Sequence, residues 1–243
     1  PYPALALGTA EATPLQIASA YTAFANPGVR VESRPIKRVT NSDGVGITEA
    51  RPQSQQALKP EVSWIMTNIM QDVLNRGTAA RARTMGFTAT AAGKTGTSRD
   101  GWFAGYTPNI VCVVWVGFDD NSELGLEGSK SALPIWASFM KAALALRPEL
   151  GAESLPAAPE SVVTEEIDPT SGLIATEQCP ARKTEFFVEG TQPQEPCDAH
   201  SGEHPEQGPI PGFNWPEGQA DIEDKTKKLL RDAQKTVEDA SKE

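Results

Sequence analysis

The sequence predicts an α+β fold in which helices flank an antiparallel sheet. Three segments carry this prediction. Two place apolar residues at helical spacing, and the third contains strand-like runs rich in valine and aromatic residues, separated by tight turns. The helical segments are residues 60–77 and 133–146, and the strand segment is residues 89–118.

The strand segment predicts a three-stranded meander. Asp100-Gly101 separates its first two runs, and Asp-Gly between strand-like segments is a strong hairpin signal. Pro108-Asn109 marks a second turn before the apolar run 110–118, whose valines favour a buried strand. We therefore expect adjacent antiparallel strands joined by short turns.

Local sequence signals also predict the secondary structure of the segments before the predicted sheet. Thr13-Pro14 combines a capping hydroxyl with proline at the first helical position, which predicts a helix start. Polar turn residues between two β-branched runs in residues 36–50 predict a short hairpin. Residues 77–87 are interpreted as a short helix or loop that leads into the strand segment.

The net charge and the length of the apolar run exclude some classes of function. The chain has 243 residues and a formal net charge of −10. A nucleic-acid surface needs a basic face to displace counterions from phosphates, so this charge argues against DNA or RNA as a partner. The apolar run 110–118 is far too short to cross a bilayer. Because the chain begins at Pro1, we expect it to be a piece of a longer protein whose targeting segment lies upstream.

Two changes in composition divide the chain. Residues 1–147 are predicted to be the folded domain. Residues 148–218 are rich in proline, glycine and acidic residues and are predicted to be a tail, with one strand-like piece at residues 185–188. Residues 219–243 predict a charged terminal helix with a thin apolar stripe.

The three cysteines are of two kinds. Cys112 lies in the apolar run and is predicted to be a buried small hydrophobic residue. Cys179 and Cys197 lie in the tail, where a disulfide would close a small loop in an exported protein, and free thiols are the second alternative. A third alternative adds His200 and His204 in the spacing C-x17-C-x2-H-x3-H, which approaches a structural zinc pattern but lacks its short first cysteine pair.

The segment Gly93-Lys94-Thr95 occurs in two unrelated kinds of site. A phosphate-binding P-loop needs another glycine five residues earlier, and Thr88 occupies that position. It also needs a helix that begins directly after the lysine, whereas this segment is predicted to be a strand. The P-loop interpretation is therefore rejected.

The other kind of site is a Lys-Thr-Gly strand that binds a peptide carboxylate. Lys94 supplies a cation and Thr95 a hydroxyl, and both suit a terminal carboxylate. Gly96 has no side chain, so an extended substrate can lie against the strand and pair with its backbone. The backbone N–H of Thr97 would then face a carbonyl oxygen that becomes an oxyanion. Trp102 is either a wall of the substrate groove or part of the core.

Four segments around this motif resemble the class A penicillin-binding proteins, the bifunctional cell-wall synthases. They occur in the family's order and cover roughly residues 4–146, with a looser similarity in "ATEQCP" and "FFVEGTQP". The four segments are "ALGTAEATPLQIASAYTAFANPG", "LNRGTAARA", "GKTGTSRDGWFAGYTPNIVCVVWVGFDDN" and "ALPIWASFM".

The resemblance implies the penicillin-binding, serine β-lactamase-like transpeptidase fold, incomplete in this chain. It implies a peptidoglycan D,D-transpeptidase, in which the D-Ala-D-Ala end of a stem peptide acylates a serine and the acyl group then passes to an amine. It also implies that β-lactams inhibit this enzyme. No metal or nucleotide cofactor belongs to this chemistry. The substrate-binding residues would be Lys94, Thr95, Gly96, Thr97 and Trp102, with the Thr97 N–H in the oxyanion hole.

The resemblance also implies partners and a location. The partners are stem peptides, β-lactams, the upstream part of the same protein, and envelope or divisome proteins. The location is the periplasmic side of the bacterial inner membrane, with the anchor upstream of this chain.

Two family motifs, S-x-x-K with the nucleophile and S-x-N, are expected upstream together with a glycosyltransferase segment. We therefore expect the nucleophilic serine to be absent from this chain, and the chain alone to be inactive. Two alternatives stay open. One is a D,D-carboxypeptidase or β-lactamase-like hydrolase, which shares the Lys-Thr-Gly motif, and the other is a non-catalytic envelope interaction module with an acidic tail.

Overall fold

The computed structural model describes residues 3, 8, 10–51, 53–151 and 154–200. Within these residues it contains four α-helices and nine β-strands. The helices are α1 (Pro14–Ala25), α2 (Pro60–Asn75), α3 (Arg81–Thr84) and α4 (Ala132–Leu146). The strands are β1 (Val29–Val31), β2 (Arg38–Thr40), β3 (Gly46–Glu49), β4 (Ser54–Gln56), β5 (Ala92–Thr97), β6 (Gly101–Thr107), β7 (Ile110–Val116), β8 (Val162–Ile167) and β9 (Lys183–Val188). No helix in these ranges is long and apolar enough to span a membrane.

Reciprocal hydrogen bonds between Thr13 and Gln16 begin α1. The Gln16 backbone N–H donates to Thr13 Oγ1 at 3.2 Å, and the Thr13 backbone N–H donates to Gln16 Oε1 at 2.8 Å, which forms a capping box. Pro14 takes the first helical position, where a missing N–H costs no helical hydrogen bond. The predicted helix start is confirmed.

The central sheet has the strand order β5-β6-β7, with both pairs antiparallel. β6 lies in the middle, and six of its seven residues are buried. β6 begins at Gly101, the second residue of the first predicted turn, and β7 begins at Ile110, directly after the second. The three-stranded meander is therefore confirmed, but the prediction that its third strand is buried is wrong: β7 is an edge strand whose residues are half-buried or exposed.

Helices cover both faces of this sheet. On one face, Phe103 of β6 and Phe87 contact the Trp136 indole of α4, with ring centroids 4.8 and 4.9 Å from it. Tyr106 is three residues beyond Phe103, so it points to the opposite face, where its ring lies 6.3 Å from that of Tyr21 of α1. Aromatic packing on both sides fixes β6, and with it the strand β5 that pairs to it.

Buried hydroxyl groups join α2 to α1 and to β6. Thr67 Oγ1 of α2 lies 2.7 Å from Tyr106 Oη and donates to the Phe24 carbonyl at 3.1 Å. Ser63 Oγ, one turn earlier, donates to the Ala23 carbonyl at 2.8 Å. These bonds satisfy polar groups that would be costly to bury alone, and they hold α2 in place beside the sheet.

The smaller elements follow the sequence signals. β2 and β3 form the hairpin predicted in residues 36–50, and all of their side chains are exposed. β1 pairs with β4, which returns the chain to α2. Residues 77–87 contain the short helix α3 between two turns.

Residues 154–200 contain more regular structure than the predicted tail. β8 pairs with β9 in an antiparallel hairpin, and β9 includes the strand-like piece predicted at residues 185–188. The hairpin packs on α2, where the rings of Trp64 and Phe186 lie 4.9 Å apart. Trp64 Nε1 also donates to the Pro156 carbonyl at 2.9 Å. This segment is therefore a small unit seated on the larger domain.

All three cysteines are free thiols in the structure. Cys112 is half-buried rather than fully buried, because it lies on β7 at the edge of the sheet. Cys179 and Cys197 are buried but not joined, so the structure does not contain the disulfide that the sequence favoured. His204 and the predicted terminal helix, residues 219–243, lie outside the described residues.

Tyr106→Phe tests the buried link to Thr67. Burial raises the pKa of Tyr106 above its usual 10.0, so the folded protein keeps this proton at pH values where the unfolded chain loses it. The resulting stability is complete below pH 10 and falls above it by up to about 1.4 kcal/mol per pH unit. We expect Tyr106→Phe to cost about 1 kcal/mol at pH 8 through the lost hydrogen bond, and the difference from wild type to shrink at pH 11. Urea unfolding at both pH values measures this, and an unchanged difference would contradict it.

Candidate active site

One edge of β5 is open. β5 pairs with β6 on one side, and no other described strand pairs with it. The start of β5 is buried beside α2, because Met70 shares a hydrophobic cluster with Ala92 and Leu74 shares one with Ala91, the residue before the strand. Beyond that point the strand emerges from the core, because Lys94 and Thr97 are exposed. The Lys-Thr-Gly motif therefore lies on the uncovered half of an edge strand.

The strand register directs two backbone positions towards the open edge. The Ser98 N–H donates to the Asp100 carbonyl at 3.0 Å across the turn. Hydrogen-bonded and non-hydrogen-bonded pairs alternate in an antiparallel ladder, so the next pair, Thr97 with Gly101, is of the non-hydrogen-bonded kind. The N–H and C=O of Thr97 then point away from β6, and those of Thr95 do the same.

The Lys94 ammonium group folds over this edge. Its Nζ donates to the Thr95 carbonyl at 2.8 Å and lies 3.4 Å from Thr95 Oγ1. In the described part of the chain, no carboxylate forms an ion pair with Lys94. A cation and a hydroxyl therefore stand side by side, which suits a carboxylate ligand.

Thr78 fixes the Thr95 hydroxyl. The two Oγ1 atoms lie 2.7 Å apart, so one hydroxyl donates to the other. Thr78 follows α2 in the segment "LNRGTAARA", and no local sequence signal indicates this role. Because Thr95 Oγ1 can both donate and accept, the bond to Thr78 leaves it able to reach a ligand.

Trp102 is the cross-strand neighbour of Gly96. A Cβ atom built on Gly96 would lie 3.1 Å from Trp102 Cβ, so the tryptophan itself already limits this position to a small residue. Trp102 is half-buried, so its exposure lies between that of a core residue and that of a groove wall, the two alternatives that the sequence left open. It lies on the sheet face next to Gly96, beside the open edge.

Asp100 orients the tryptophan. Its Oδ2 accepts the indole N–H groups of Trp102 at 2.9 Å and of Trp115 at 2.7 Å. The two rings lie 6.3 Å apart. One turn carboxylate thus holds two aromatic side chains of neighbouring strands, an arrangement that the Asp-Gly hairpin signal alone did not reveal.

A loop closes over the end of β5 at Gly128. The Gly128 N–H donates to Thr97 Oγ1 at 3.0 Å. A Cβ atom on Gly128 would collide with the carbonyl oxygens of Gly96 and Trp102. Only glycine lets this loop approach so closely, and the approach fixes the side chain of Thr97 while its N–H stays at the open edge.

Arg83 secures the segment that enters β5. Its guanidinium group donates to the carbonyls of Phe87 at 3.0 Å and Ala89 at 2.8 Å, and to Asn75 Oδ1 at 2.9 Å. The end of α2, the turn after α3 and the start of the edge strand are thereby joined through one side chain. This supports the preorganisation of the motif.

The S-x-x-K spacing, which was expected only upstream, occurs once in the chain, at Ser138 and Lys141. Both residues lie on α4, and Ser138 is exposed on the side of the helix opposite the core residues Trp136 and Met140. Lys141 Nζ donates to the Met85 carbonyl at 2.7 Å instead of approaching the serine hydroxyl. The helix itself separates Ser138 from β5, so this pair does not complete the site.

Two family models match the chain. Residues 3–141 match the penicillin binding protein transpeptidase domain. The chain belongs to the penicillin-binding protein transpeptidase family. Residues 158–202 match the C-terminal domain of penicillin-binding protein 1A, so the hairpin β8–β9 lies within a second family domain. The resemblance to class A penicillin-binding proteins and the expected fold are confirmed.

Relatives of this penicillin-binding protein chain occur in distant bacteria. It is 37% identical over 202 residues to penicillin-binding protein 1A of Aquifex aeolicus (strain VF5), a match of 81% of the chain and 27% of that protein. Identity with penicillin-binding protein 1A of Neisseria lactamica is 41% over 157 residues, which is 60% of the chain and 20% of that protein. Identity with penicillin-binding protein 2D of Bacillus subtilis (strain 168) is 36% over 203 residues, which is 80% of the chain and 29% of that protein. The chain thus spans less than a third of each relative.

Solved structures support the same fold. The crystal structure of penicillin-binding protein 1A from Haemophilus influenzae superposes with a TM-score of 0.70 at 27% identity, covering 79% of this chain and 34% of that one. The penicillin-binding protein PonA1 from Mycobacterium tuberculosis gives a TM-score of 0.52 at 24% identity, over 65% of this chain and 44% of that one. At that identity, the second match shows the fold alone.

Gly128→Ala tests the loop that closes over β5. The added methyl group collides with backbone atoms of Gly96 and Trp102, so we expect a loss of about 1–3 kcal/mol of stability and a slower reaction with penicillin. Thermal unfolding and the rate of fluorescent-penicillin labelling of the full-length protein measure the two effects.

Gly46→Ala is the matched control. A Cβ atom on Gly46 meets only the flexible Arg38 guanidinium, at 3.2 Å, so this variant should behave as wild type. Wild-type stability and labelling rate in Gly128→Ala would contradict the role given to the loop.

Proposed function

We propose that this chain supplies the substrate-binding strand of a peptidoglycan D,D-transpeptidase, which cross-links the cell wall by serine acyl transfer and binds β-lactams. One observation carries the proposal. The open edge of β5 presents the Lys94 ammonium group, the Thr95 hydroxyl and the Thr97 N–H along one uncovered stretch of backbone.

An extended stem peptide can add to β5 as a further strand. The outward N–H and C=O groups of Thr95 and Thr97 would pair with the peptide backbone. Lys94 and Thr95 would bind the terminal carboxylate of the D-Ala-D-Ala end, which a penicillin mimics with its own carboxylate. The indole of Trp102 would form part of the groove wall beside the peptide.

The Thr97 N–H would act at the chemical step. When a serine oxygen attacks the peptide carbonyl, negative charge develops on the carbonyl oxygen, and a preorganised N–H donor stabilises that charge. Loss of one such donor in other acyl-transfer enzymes slows the reaction by about 100- to 1000-fold. The bond from Gly128 to Thr97 Oγ1 keeps this strand end in place before substrate arrives.

The nucleophilic serine and its lysine partner would come from another part of the same polypeptide. They would face β5 across the open edge, so the edge would lie between two halves of one active site. Peptidoglycan lies outside the cytoplasmic membrane, so we place the site on the periplasmic side. Stem peptides and β-lactams are the ligands of this proposal, and envelope or divisome proteins are candidate partners.

Lys94→Ala in the full-length protein tests the carboxylate-binding role. A lost charge-assisted hydrogen bond is worth about 1.5–3 kcal/mol, so the second-order rate of fluorescent-penicillin labelling should fall about 10- to 100-fold. Lys37→Ala is the matched control, because Lys37 is an exposed lysine next to the β2–β3 hairpin. Ser138→Ala should also label normally. Normal labelling of Lys94→Ala, or loss of label in Ser138→Ala, would contradict the proposal.

The reaction products distinguish a transpeptidase from a D,D-carboxypeptidase. A transpeptidase yields cross-linked stem peptides from purified peptidoglycan precursor, whereas a D,D-carboxypeptidase releases D-alanine without cross-links. Absence of both products and of penicillin labelling would favour the interaction-module alternative.

A further inference from the structure

Four side chains of metal-ligating types converge at the end of the β8–β9 hairpin where the connecting loop joins the two strands. Asp168 follows β8, Cys179 precedes β9, and Cys197 and His200 follow it. One ligand atom from each lies within 4.8 Å of the others. The proposed transpeptidase site uses none of these residues.

This cluster is the buried centre of its segment. Between residues 154 and 200, Asp168, Cys179 and Cys197 are the buried residues, and Asp168 is fully enclosed. A folded unit of this size ordinarily has apolar side chains at its centre, or else a disulfide or metal ion that replaces them. Here, groups that can ligate a metal occupy the place of the core.

The distances match the edges of a zinc tetrahedron. Ligand bonds of about 2.0–2.3 Å at tetrahedral angles separate neighbouring ligand atoms by about 3.3–3.8 Å. Cys197 Sγ lies 3.5 Å from His200 Nδ1 and 3.4 Å from Asp168 Oδ2, and these last two atoms lie 3.8 Å apart. Cys179 Sγ lies within 4.8 Å of the other three ligand atoms and supplies the fourth ligand.

Backbone groups already orient these side chains. The N–H groups of Thr170 and Ser171 donate to the Asp168 carboxylate at 3.3 and 3.0 Å. The Thr176 N–H donates to Cys179 Sγ at 3.3 Å. Such hydrogen bonds to ligand atoms are the usual outer support of a metal site, because they fix the ligands before the ion binds.

Main-chain hydrogen bonds also bring the ligand loops together. The Ile174 N–H donates to the Glu195 carbonyl at 3.0 Å, and the Cys197 N–H donates back to the Ile174 carbonyl at 2.7 Å. The loop that holds Cys179 is thereby tied to the loop that holds Cys197 and His200. The spacing of the last two, C-x2-H, lets one short turn supply two ligands.

We infer that Asp168, Cys179, Cys197 and His200 bind one structural Zn²⁺ ion that stabilises the C-terminal segment. Binding releases the thiol protons of Cys179 and Cys197 to solvent, and involves no change of oxidation state. The site differs from the zinc pattern considered from the sequence, because Asp168 supplies one of its four ligands; His204 lies outside the described residues. It is independent of the proposed acyl transfer.

Metal content of the full-length protein tests the inference. Protein purified without chelators should hold a zinc ion that is lost in Cys197→Ser and in His200→Ala, as measured by elemental analysis. Adding Co²⁺ to metal-stripped, reduced protein should produce the absorption of tetrahedral, thiolate-bound cobalt, and Zn²⁺ should abolish it. His200 is partly exposed, so its variant is expected to remain folded even if Cys197→Ser is not.

Cys112→Ser is the matched control and should keep the metal. Burial raises the pKa of Cys112 to about 11, and the residue lies on the central sheet, away from the cluster. Equal zinc content in wild type, Cys197→Ser and His200→Ala would overturn the inference. Recovery of a Cys179–Cys197 disulfide from metal-free protein isolated from the cell envelope would overturn it as well.

Discussion

Among the described residues, one edge of β5 has no partner strand, and the surrounding elements are arranged around this edge. An open strand edge presents backbone N–H and C=O groups that can pair with any extended chain, and proteins usually cover or charge such edges. Here the first half of β5 is covered by α2 and the second half carries Lys94. The part of this edge that is available for pairing is therefore short and lies beside a positive charge.

Contacts from β6, Thr78 and the Gly128 loop fix the position of this edge. β6 is packed from both sides through Phe103 and Tyr106, so the ladder that carries β5 has little freedom to move. Thr78 fixes the Thr95 hydroxyl, and the Gly128 loop holds the far end through Thr97. These contacts are made without any ligand, so the strand is already ordered before a ligand binds.

Much of the fold could be predicted because its signals are local. The Thr13 cap, the Asp-Gly hairpin and the helical periodicity of α2 are each encoded within a few residues. The Lys-Thr-Gly motif was likewise recognisable, since its chemistry follows from three consecutive residue types and their strand context. The order of the three strands then followed from the short turns.

The missed features are those that depend on contacts between distant segments. Nothing local to Gly128 shows that its backbone must approach Gly96, and Thr78 acquires a role only where the turn after α2 meets β5. Ser138 shows the opposite problem: its spacing to Lys141 matches a catalytic motif, yet the helix directs it to solvent. Asp168 lies far from Cys179 and Cys197 in sequence, and only the pairing of β8 with β9 brings its carboxylate close to them.

A crystal structure of the full-length protein acylated by a penicillin would directly show whether β5 binds the ligand. The account predicts the acyl carbonyl oxygen at about 2.7–3.1 Å from the Thr97 nitrogen. It also predicts the penicillin carboxylate on Lys94 Nζ and Thr95 Oγ1, with Ser138 unmodified. A ligand carboxylate bound elsewhere, or a carbonyl oxygen out of reach of the Thr97 N–H, would contradict the account.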